Sequence, residues 1–600
     1  MKNNNRNLRN LVFLIKTLWT TDKKYLLLMV FEMLSFSAHM LPDLLITKYT
    51  VDALFQRLPF KVFLIRTSLL LVFKLVCMIS LAYVNTERPR RDDIVTERLF
   101  NQFFYKCMNL EYEKLAEREV QELKDLAKPM ADGKIAAVGW YFVDFFSNVF
   151  SVAYLSIILF TVKFYLPLVV LVPVITYNML IKKQVNKMTQ LDFGVIQSMR
   201  FVHKVYEILS DFTYFKDIKI FNLEGPLIKK AKNHMPHVQS LQEDKHKADR
   251  HLSTWHILVK NGVNIGVYLI LLLAAFAGSI SVGTYVLAVN AVGHLTRSIE
   301  AINTCYKKYL DTSKYLDRYM TFMDLPEGRQ GQVDLGQNLD PKKGYTIEFK
   351  DVSFKYPGRE DYVFNQLNLC LDMPQKVSIV GSNGVGKSTF IKLLMGLYKP
   401  TSGQILINGV DISSLEEEGY RGLFSTVFQD FELFAFTLRE NITAFEEDYS
   451  SSKLESVIDQ SGIRSRIDDL QEGYDAYLYR IFSKKGQELS GGELQKIALA
   501  RAIYKDQALI SIFDEPTSAI DPKAEYHLYK KYDEIVGGNA AFYISHRLAS
   551  CKLSDTIIVL KDGQVYEFGS HSDLMAKGDF YSEMFTTQAS YYETVSDLSS

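Results

Sequence analysis

The sequence predicts two domains of different class: an N-terminal all-α membrane domain of six transmembrane helices with long cytosolic helical extensions, and a C-terminal α/β domain built around a phosphate-binding loop. Three observations predict it. At 600 residues the chain exceeds what one hydrophobic core organises. Its long apolar runs fall before about residue 300, whereas the remainder alternates short apolar runs with glycine turns and charge. A glycine-rich loop then stands between a strand pattern and a helix pattern, from Gly381 onward.

A spanning helix needs about 20 mostly apolar residues to cross roughly 30 Å of hydrocarbon. Windows of that kind lie at 25–46, 62–84, 138–161, 164–181, 257–278 and 281–302. A short turn around Lys163 separates the third from the fourth, and Asn290, His294 and Arg297 make the sixth the most polar. The basic N-terminal segment 1–24, the Arg88–Arg91 cluster and the Lys-rich stretch from Lys182 to Arg250 all fall on one side of this arrangement. That side is predicted to be cytoplasmic, with the N-terminus in the cytosol. Segments 85–137 and 182–256 are long, charged and helix-periodic, so they read as spans continuing into the cytosol rather than as loops. Glu32, Asp43, Lys74, Asp144 and Lys260 sit inside or beside the spans, where they either line a substrate path or else pair with one another or snorkel at helix ends.

Other features narrow the class. Formal net charge is zero, so no global basic field argues for nucleic acid as a partner. The five cysteines, Cys77, Cys107, Cys305, Cys370 and Cys551, lie far apart, a spacing that predicts neither a disulfide framework nor a zinc site. Met1 to Arg9 is polar and basic without a short apolar stretch, so no removable signal peptide is expected.

From about residue 343 the pattern is that of an α/β domain, with strands predicted at Tyr345–Phe349 and Lys376–Val380. Directly after the second come Gly381, Ser382, Asn383, Gly384, Val385, Gly386, Lys387, Ser388 and Thr389, and then a helix-periodic run. Glycines let backbone N–H groups turn inward around phosphate oxygens, and the helix N-terminus adds partial positive charge. In such a loop Lys387 neutralises β- and γ-phosphates, Ser388 offers its hydroxyl to Mg²⁺, and Thr389 bonds nearby phosphate. Ala508–Phe513 reads as a buried strand ending in Asp514 and Glu515, a carboxylate pair suited to holding Mg²⁺ and to polarising an attacking water.

Leu489-Ser-Gly-Gly-Glu493, followed by a helical run to Ala502, resembles the signature sequence of the ABC ATPases, and the other positions of that family occur in order. The resemblance implies an α/β P-loop ABC ATPase domain that takes ATP and Mg²⁺. Tyr356 resembles the aromatic that stacks on adenine, and Gln429 the glutamine that touches Mg²⁺ and water. Ser518–Asp521 resembles the D-loop, and His546 the histidine at the γ-phosphate. In that family Ser490, Gly491 and Gly492 face the loop of a second cassette. One loop and one signature per chain therefore imply a dimer: a homodimer, or a heterodimer with a related half-transporter. The implied catalytic set is Glu515, His546, Gln429 and Lys387, with Asp514, Ser388 and Gln429 at the metal.

Six spans ahead of one cassette resemble the exporters of the family often called type I. The implied layout is a transmembrane domain over 25–325, a linker over 326–342, the nucleotide-binding domain over 343–585 and a polar, disordered tail over 586–600. The implied function is ATP-driven export of a peptide, lipid or lipophilic small molecule across the cytoplasmic membrane. A siderophore-type importer of the same fold is the alternative. Asp211–Glu224 and Glu111–Leu115 resemble coupling segments between the domains. Two departures stand out: Glu493 replaces the commoner glutamine, and Phe482–Glu488 lacks the acidic pattern often seen before the signature. No N-terminal protease domain is expected ahead of the first span.

Overall fold

The computed structural model describes residues 2–56, 59–328, 344–514, 532–534, 536–545 and 548–597; over 173–190, 589–597 and some scattered helical positions it describes backbone alone. Contacts divide the chain into two compact units, Met1–Phe103 with Asp125–Met323, and Phe104–Lys124 with Asp324–Ser600.

The helices up to Met323 are α1 (Lys2–Thr21), α2 (Lys23–Ala38), α3 (Met40–Gln56), α4 (Phe60–Asn109), α5 (Tyr112–Ala116), α6 (Arg118–Pro129), α7 (Ile135–Val162), α8 (Leu166–Ser210), α9 (Phe215–Ile220), α10 (Glu224–Phe276) and α11 (Val282–Met323). Four stretches among the described residues are long and apolar enough to cross a membrane: Lys23–Phe55, Phe60–Asn109, Arg118–Val162 and Ser253–Phe276. The windows at 25–46, 62–84, 138–161 and 257–278 fall on them. The window at 164–181 falls on α8, most of whose side chains there lie outside the described residues, and that at 281–302 on the more polar α11. At 50 residues, α4 rises about 75 Å, more than twice the hydrocarbon thickness, so the charged run after the second window continues as helix.

In this first unit α8 packs on α10, and α11 on both α7 and α3. Leu155, Leu159, Leu166, Leu271, Ala288, Ala291 and Leu295 are fully buried between them. Four of the five charges named among the spans have a charged partner. Lys74 Nζ lies 2.6 Å from Asp43 Oδ1, Lys260 Nζ 2.7 Å from Glu300 Oε1, and Arg88 lies 3.8 Å from Glu32 and 3.7 Å from Asp92. Pairing lowers the cost of a charge in an apolar surround, which favours the pairing reading for Glu32, Asp43, Lys74 and Lys260.

The second unit holds two sheets. Strands β1 (Tyr345–Phe354), β2 (Phe364–Met373), β3 (Lys376–Val380), β4 (Ser402–Ile407), β5 (Val410–Asp411), β6 (Phe424–Val427), β7 (Ile510–Asp514), β8 (Ala540–Ile544), β9 (Thr556–Lys561) and β10 (Gln564–Gly569) form one sheet in the order β2-β1-β4-β5 and another in the order β10-β9-β3-β8-β7-β6. Within the second sheet β9, β3, β8, β7 and β6 run parallel, which buries both faces, and β8 is accordingly apolar throughout. Its helices are α12 (Lys387–Leu394), α13 (Glu417–Gly422), α14 (Leu438–Thr443), α15 (Ser451–Ser461), α16 (Arg464–Asp468), α17 (Gly491–Tyr504), α18 (His571–Lys577) and α19 (Phe580–Asp597). Phe349, Ile379, Phe390, Ile407, Phe542 and Ile558 make the main core between the sheets, while α14, α15 and α17 enclose a smaller one around Ile442, Leu454 and Ile497.

The tail expected to be disordered from residue 586 is a correction: α19 runs unbroken to Asp597. Tyr581 is fully buried beside Leu574, and Gln588 Oε1 accepts the Leu548 N–H at 2.6 Å, which anchors the helix beyond residue 585.

Candidate functional site

The parallel strands end on one edge, and the chain turns there into the loop that the glycines permit. After β3, Gly386 adopts φ 108 before α12 begins. A Cβ on Gly386 would stand 2.8 Å from both Phe364 Cζ and Val363 Cγ1, and one on Gly381 2.5 Å from the Leu560 carbonyl oxygen, so neither position has room for a side chain. Ser382, Asn383 and Gly384 form the exposed mouth of the loop, and Val385 packs against the core beneath.

Lys387 is buried at the first position of α12, its Nζ donating to the carbonyl oxygens of Gly381 and Ser382 at 3.1 and 3.2 Å. The ammonium is thus curled over the loop whose phosphate it is suited to meet. Ser388 Oγ donates to Asp514 Oδ1 at 3.4 Å, and Asp514 is 5% exposed at the end of β7. A hydroxyl and a carboxylate held together beside a phosphate cradle are the oxygen donors a hard divalent cation takes, so these residues fit Mg²⁺. Thr389 is buried and shares a hydrogen bond of 2.8 Å with the hydroxyl of Tyr356, whose ring meets Phe354 and Tyr398 edge-on at 5.1 and 5.3 Å. Gln429 is exposed two residues beyond β6, the strand next to β7, so it and Asp514 extend from neighbouring strand ends.

The structure therefore gathers Gly381 to Thr389, Tyr356 and Asp514 in one place. Glu515, Ser518–Asp521 and His546 lie outside the described residues.

Ser490 caps α17 with an exposed N-terminus. Glu493 Oε2 accepts the Ser490 N–H at 2.8 Å and its hydroxyl at 2.9 Å, while Glu493 N–H donates back to Ser490 Oγ at 3.4 Å. This reciprocal cap is one that glutamate or glutamine can close, so the departure at position 493 keeps it, and the Ser-x-x-Glu spacing was its signal in the sequence. Backbone donation from Ser490 holds the Glu493 carboxyl below the ordinary glutamate range, and Arg466 lies 3.2 Å away.

Comparison with known proteins agrees with this geometry. The family described as ABC transporter matches residues 364–518. The subtilin transport ATP-binding protein SpaT of Bacillus subtilis is 32% identical over 388 residues, 63% of this chain and 61% of that protein. The nisin transport ATP-binding protein NisT of Lactococcus lactis subsp. lactis is 30% identical over 391 residues, 64% of each. The chain thus matches somewhat over three-fifths of the length of these two relatives. A solved bacterial Atm1-family ABC exporter with ATP bound superimposes with a TM-score of 0.80 at 22% identity, covering 94% of this chain and 98% of its own. Residues 364–518 thus match the ABC transporter family, and the chain as a whole has the fold of that exporter structure.

Proposed function

We propose that two copies of this chain form an exporter that binds ATP between their cassettes and hydrolyses it to move a peptide cargo out across the cytoplasmic membrane. The observation that carries this reading is the phosphate cradle itself: Lys387 curled over a glycine loop, with Ser388 held to Asp514 at its side. The relatives are named for subtilin and nisin transport, which favours a peptide over a lipid or small lipophile as the cargo.

Within that reading the chain's own groups divide the work. The loop amides and Lys387 hold the β- and γ-phosphates, and Tyr356 faces the base. Asp514, Ser388 and Gln429 would hold Mg²⁺, which when bound draws charge from the β- and γ-oxygens. Glu515 takes the proton of the attacking water, and His546 stabilises charge at the γ-phosphate. Ser490, Gly491 and Gly492 of one copy close on the loop of the other, and this closure drives the helical domains from inward-open to outward-open.

The test is Mg-dependent ATPase activity of the purified chain in lipid nanodiscs, with and without lantibiotic-type peptides. Removing a general base costs about 10²–10⁴-fold, so Glu515→Gln should drop the rate by at least two orders while keeping ATP binding. Unchanged turnover in Glu515→Gln would sink the catalytic assignment. Peptides that neither alter turnover nor enter inside-out vesicles would remove peptide as the cargo.

A further inference from the structure

One wall of the cleft beside Tyr356 comes from far away in the chain. Residues Phe104–Lys124 belong to the same compact unit as Asp324–Ser600, and α5 lies against the segment that follows α12. The Glu111 carboxylate accepts from Lys399 Nζ at 2.6 Å, and Glu113 Oε2 accepts the Lys399 backbone N–H at 3.1 Å. Between these two anchors the ring of Tyr112 meets Tyr398 edge-on at 5.5 Å. Tyr398, 7% exposed, in turn touches Tyr356 at 5.3 Å and Phe354 at 5.5 Å. Tyr356 then bonds Thr389 of the phosphate loop. Three tyrosines therefore make unbroken contact from α5 to the loop, beside a cleft of about 520 Å³ lined by Glu113, Glu117, Lys355, Tyr356, Arg359 and Lys399.

The arrangement constrains how Tyr356 can turn. Its hydroxyl is tied to Thr389 and one edge rests on Tyr398, whose other side is covered by Tyr112. Burial, with Tyr112, Tyr356 and Glu113 nearby, pushes the Tyr398 hydroxyl up to about 12. It stays neutral at physiological pH, so the contact is a fixed wedge of rings rather than a titrating pair. A movement of Tyr356 on nucleotide binding that is passed through Tyr398 to α5 would, by linkage, let the seat of α5 alter nucleotide affinity to the same degree.

The geometry points to Tyr398 and Tyr112 as positioning residues for the nucleotide, through which the segment 111–117 sets the affinity of its own cassette for the purine base. This rests on the reading above that Tyr356 faces the base. It places the control within one chain, ahead of any pairing of cassettes.

The experiment measures binding of a fluorescent ATP analogue, and its displacement by inorganic tripolyphosphate, to the full chain in nanodiscs with EDTA present. Tyr398→Leu and Tyr112→Ala should each weaken the analogue by about 5-fold or more, the lower range of site-to-site coupling, and raise KM for ATP with kcat changed less than about twofold. Tripolyphosphate, which has no base, should bind all variants alike, and Tyr398→Phe and Tyr112→Phe should restore the wild-type values. A Tyr112→Ala chain that melts normally and binds the analogue as wild type does overturns the link. Equal weakening of tripolyphosphate also overturns it, since the loop rather than the base contact would then have changed. A wild-type chain that binds no nucleotide overturns both this link and the functional reading beneath it.

Discussion

The two helix N-termini that the sequence marks for phosphate, at α12 and at α17, are built in opposite ways. At α12 the glycines are required by the chain's own packing: Gly386 has a left-handed backbone and no space for a Cβ. At α17 neither Gly491 nor Gly492 has positive φ, and a Cβ on either meets no atom within 4 Å. Glycine in a helix costs up to about 1 kcal/mol relative to alanine, so two adjacent glycines in an open first turn weaken α17 with no return within the chain. The first cradle is closed by the chain's own packing, whereas the second is open, and on the proposed reading it is half of a site. In the proposed dimer what completes it is the γ-phosphate held by the other copy.

The sharpest way to break this contrast is to put the same methyl group at both ends. Gly386→Ala must either twist the loop or push Phe364 and Val363 aside, at about 2–4 kcal/mol of strain and overpacking. Nucleotide affinity should fall by about 30- to 700-fold, since 1.4 kcal/mol is a factor of ten, and the cassette should melt several degrees lower. Wild-type binding by this variant would mean the cradle is not closed as described.

Gly492→Ala should do the reverse. The helix gains propensity, so melting should stay level or rise, and binding of nucleotide at Lys387 should change less than about twofold. Hydrolysis should nonetheless drop by about 10-fold or more, the scale of losing a backbone contact to transition-state charge. Melting measured beside turnover decides it: a variant destabilised as much as Gly386→Ala would show that Gly492 serves its own fold and would remove this argument for a partner.

The same contrast explains what the sequence makes legible. The motif at α12 runs through consecutive residues, so strand, glycines, Lys387 and helix could all be read in order, and Asp514 was found because a carboxylate pair ending a buried strand belongs beside such a loop, although taken alone it is more often a solvated turn. The order β3-β8-β7-β6 was not readable, because parallel pairing joins segments far apart in the chain. Nor was the contact of Tyr112 with Tyr398, or of Glu111 with Lys399, since nothing local in either stretch announces the other. The tail differs for a related reason: its polar composition after residue 585 suggested disorder, and the tertiary bond from Leu548 to Gln588 that anchors the start of this stretch has no local signal.

The smallest expected effect sharpens the open end. Glu493 closes the cap on Ser490 through an acceptor that glutamine also has, so Glu493→Gln should shift the cassette's melting midpoint little at pH 7 and leave turnover intact. Glu493→Ala loses the acceptor, and a capping loss of about 1 kcal/mol corresponds to about 2–4 °C in a domain of this size. The pH dependence separates charge from geometry. Because the folded carboxyl is held below its unfolded value near 4.3, its contribution is present above that value and is lost as pH falls through the lower, folded one. The gap between wild type and Glu493→Ala should therefore narrow from pH 5 toward pH 3, while that between Glu493→Gln and Glu493→Ala should not. Since Glu493 is partly exposed to screening solvent, the charge adds only a fraction of the capping loss. Parallel curves for all three proteins would show that the reciprocal cap is not what shapes this end of α17, leaving the open glycines to stand on their own.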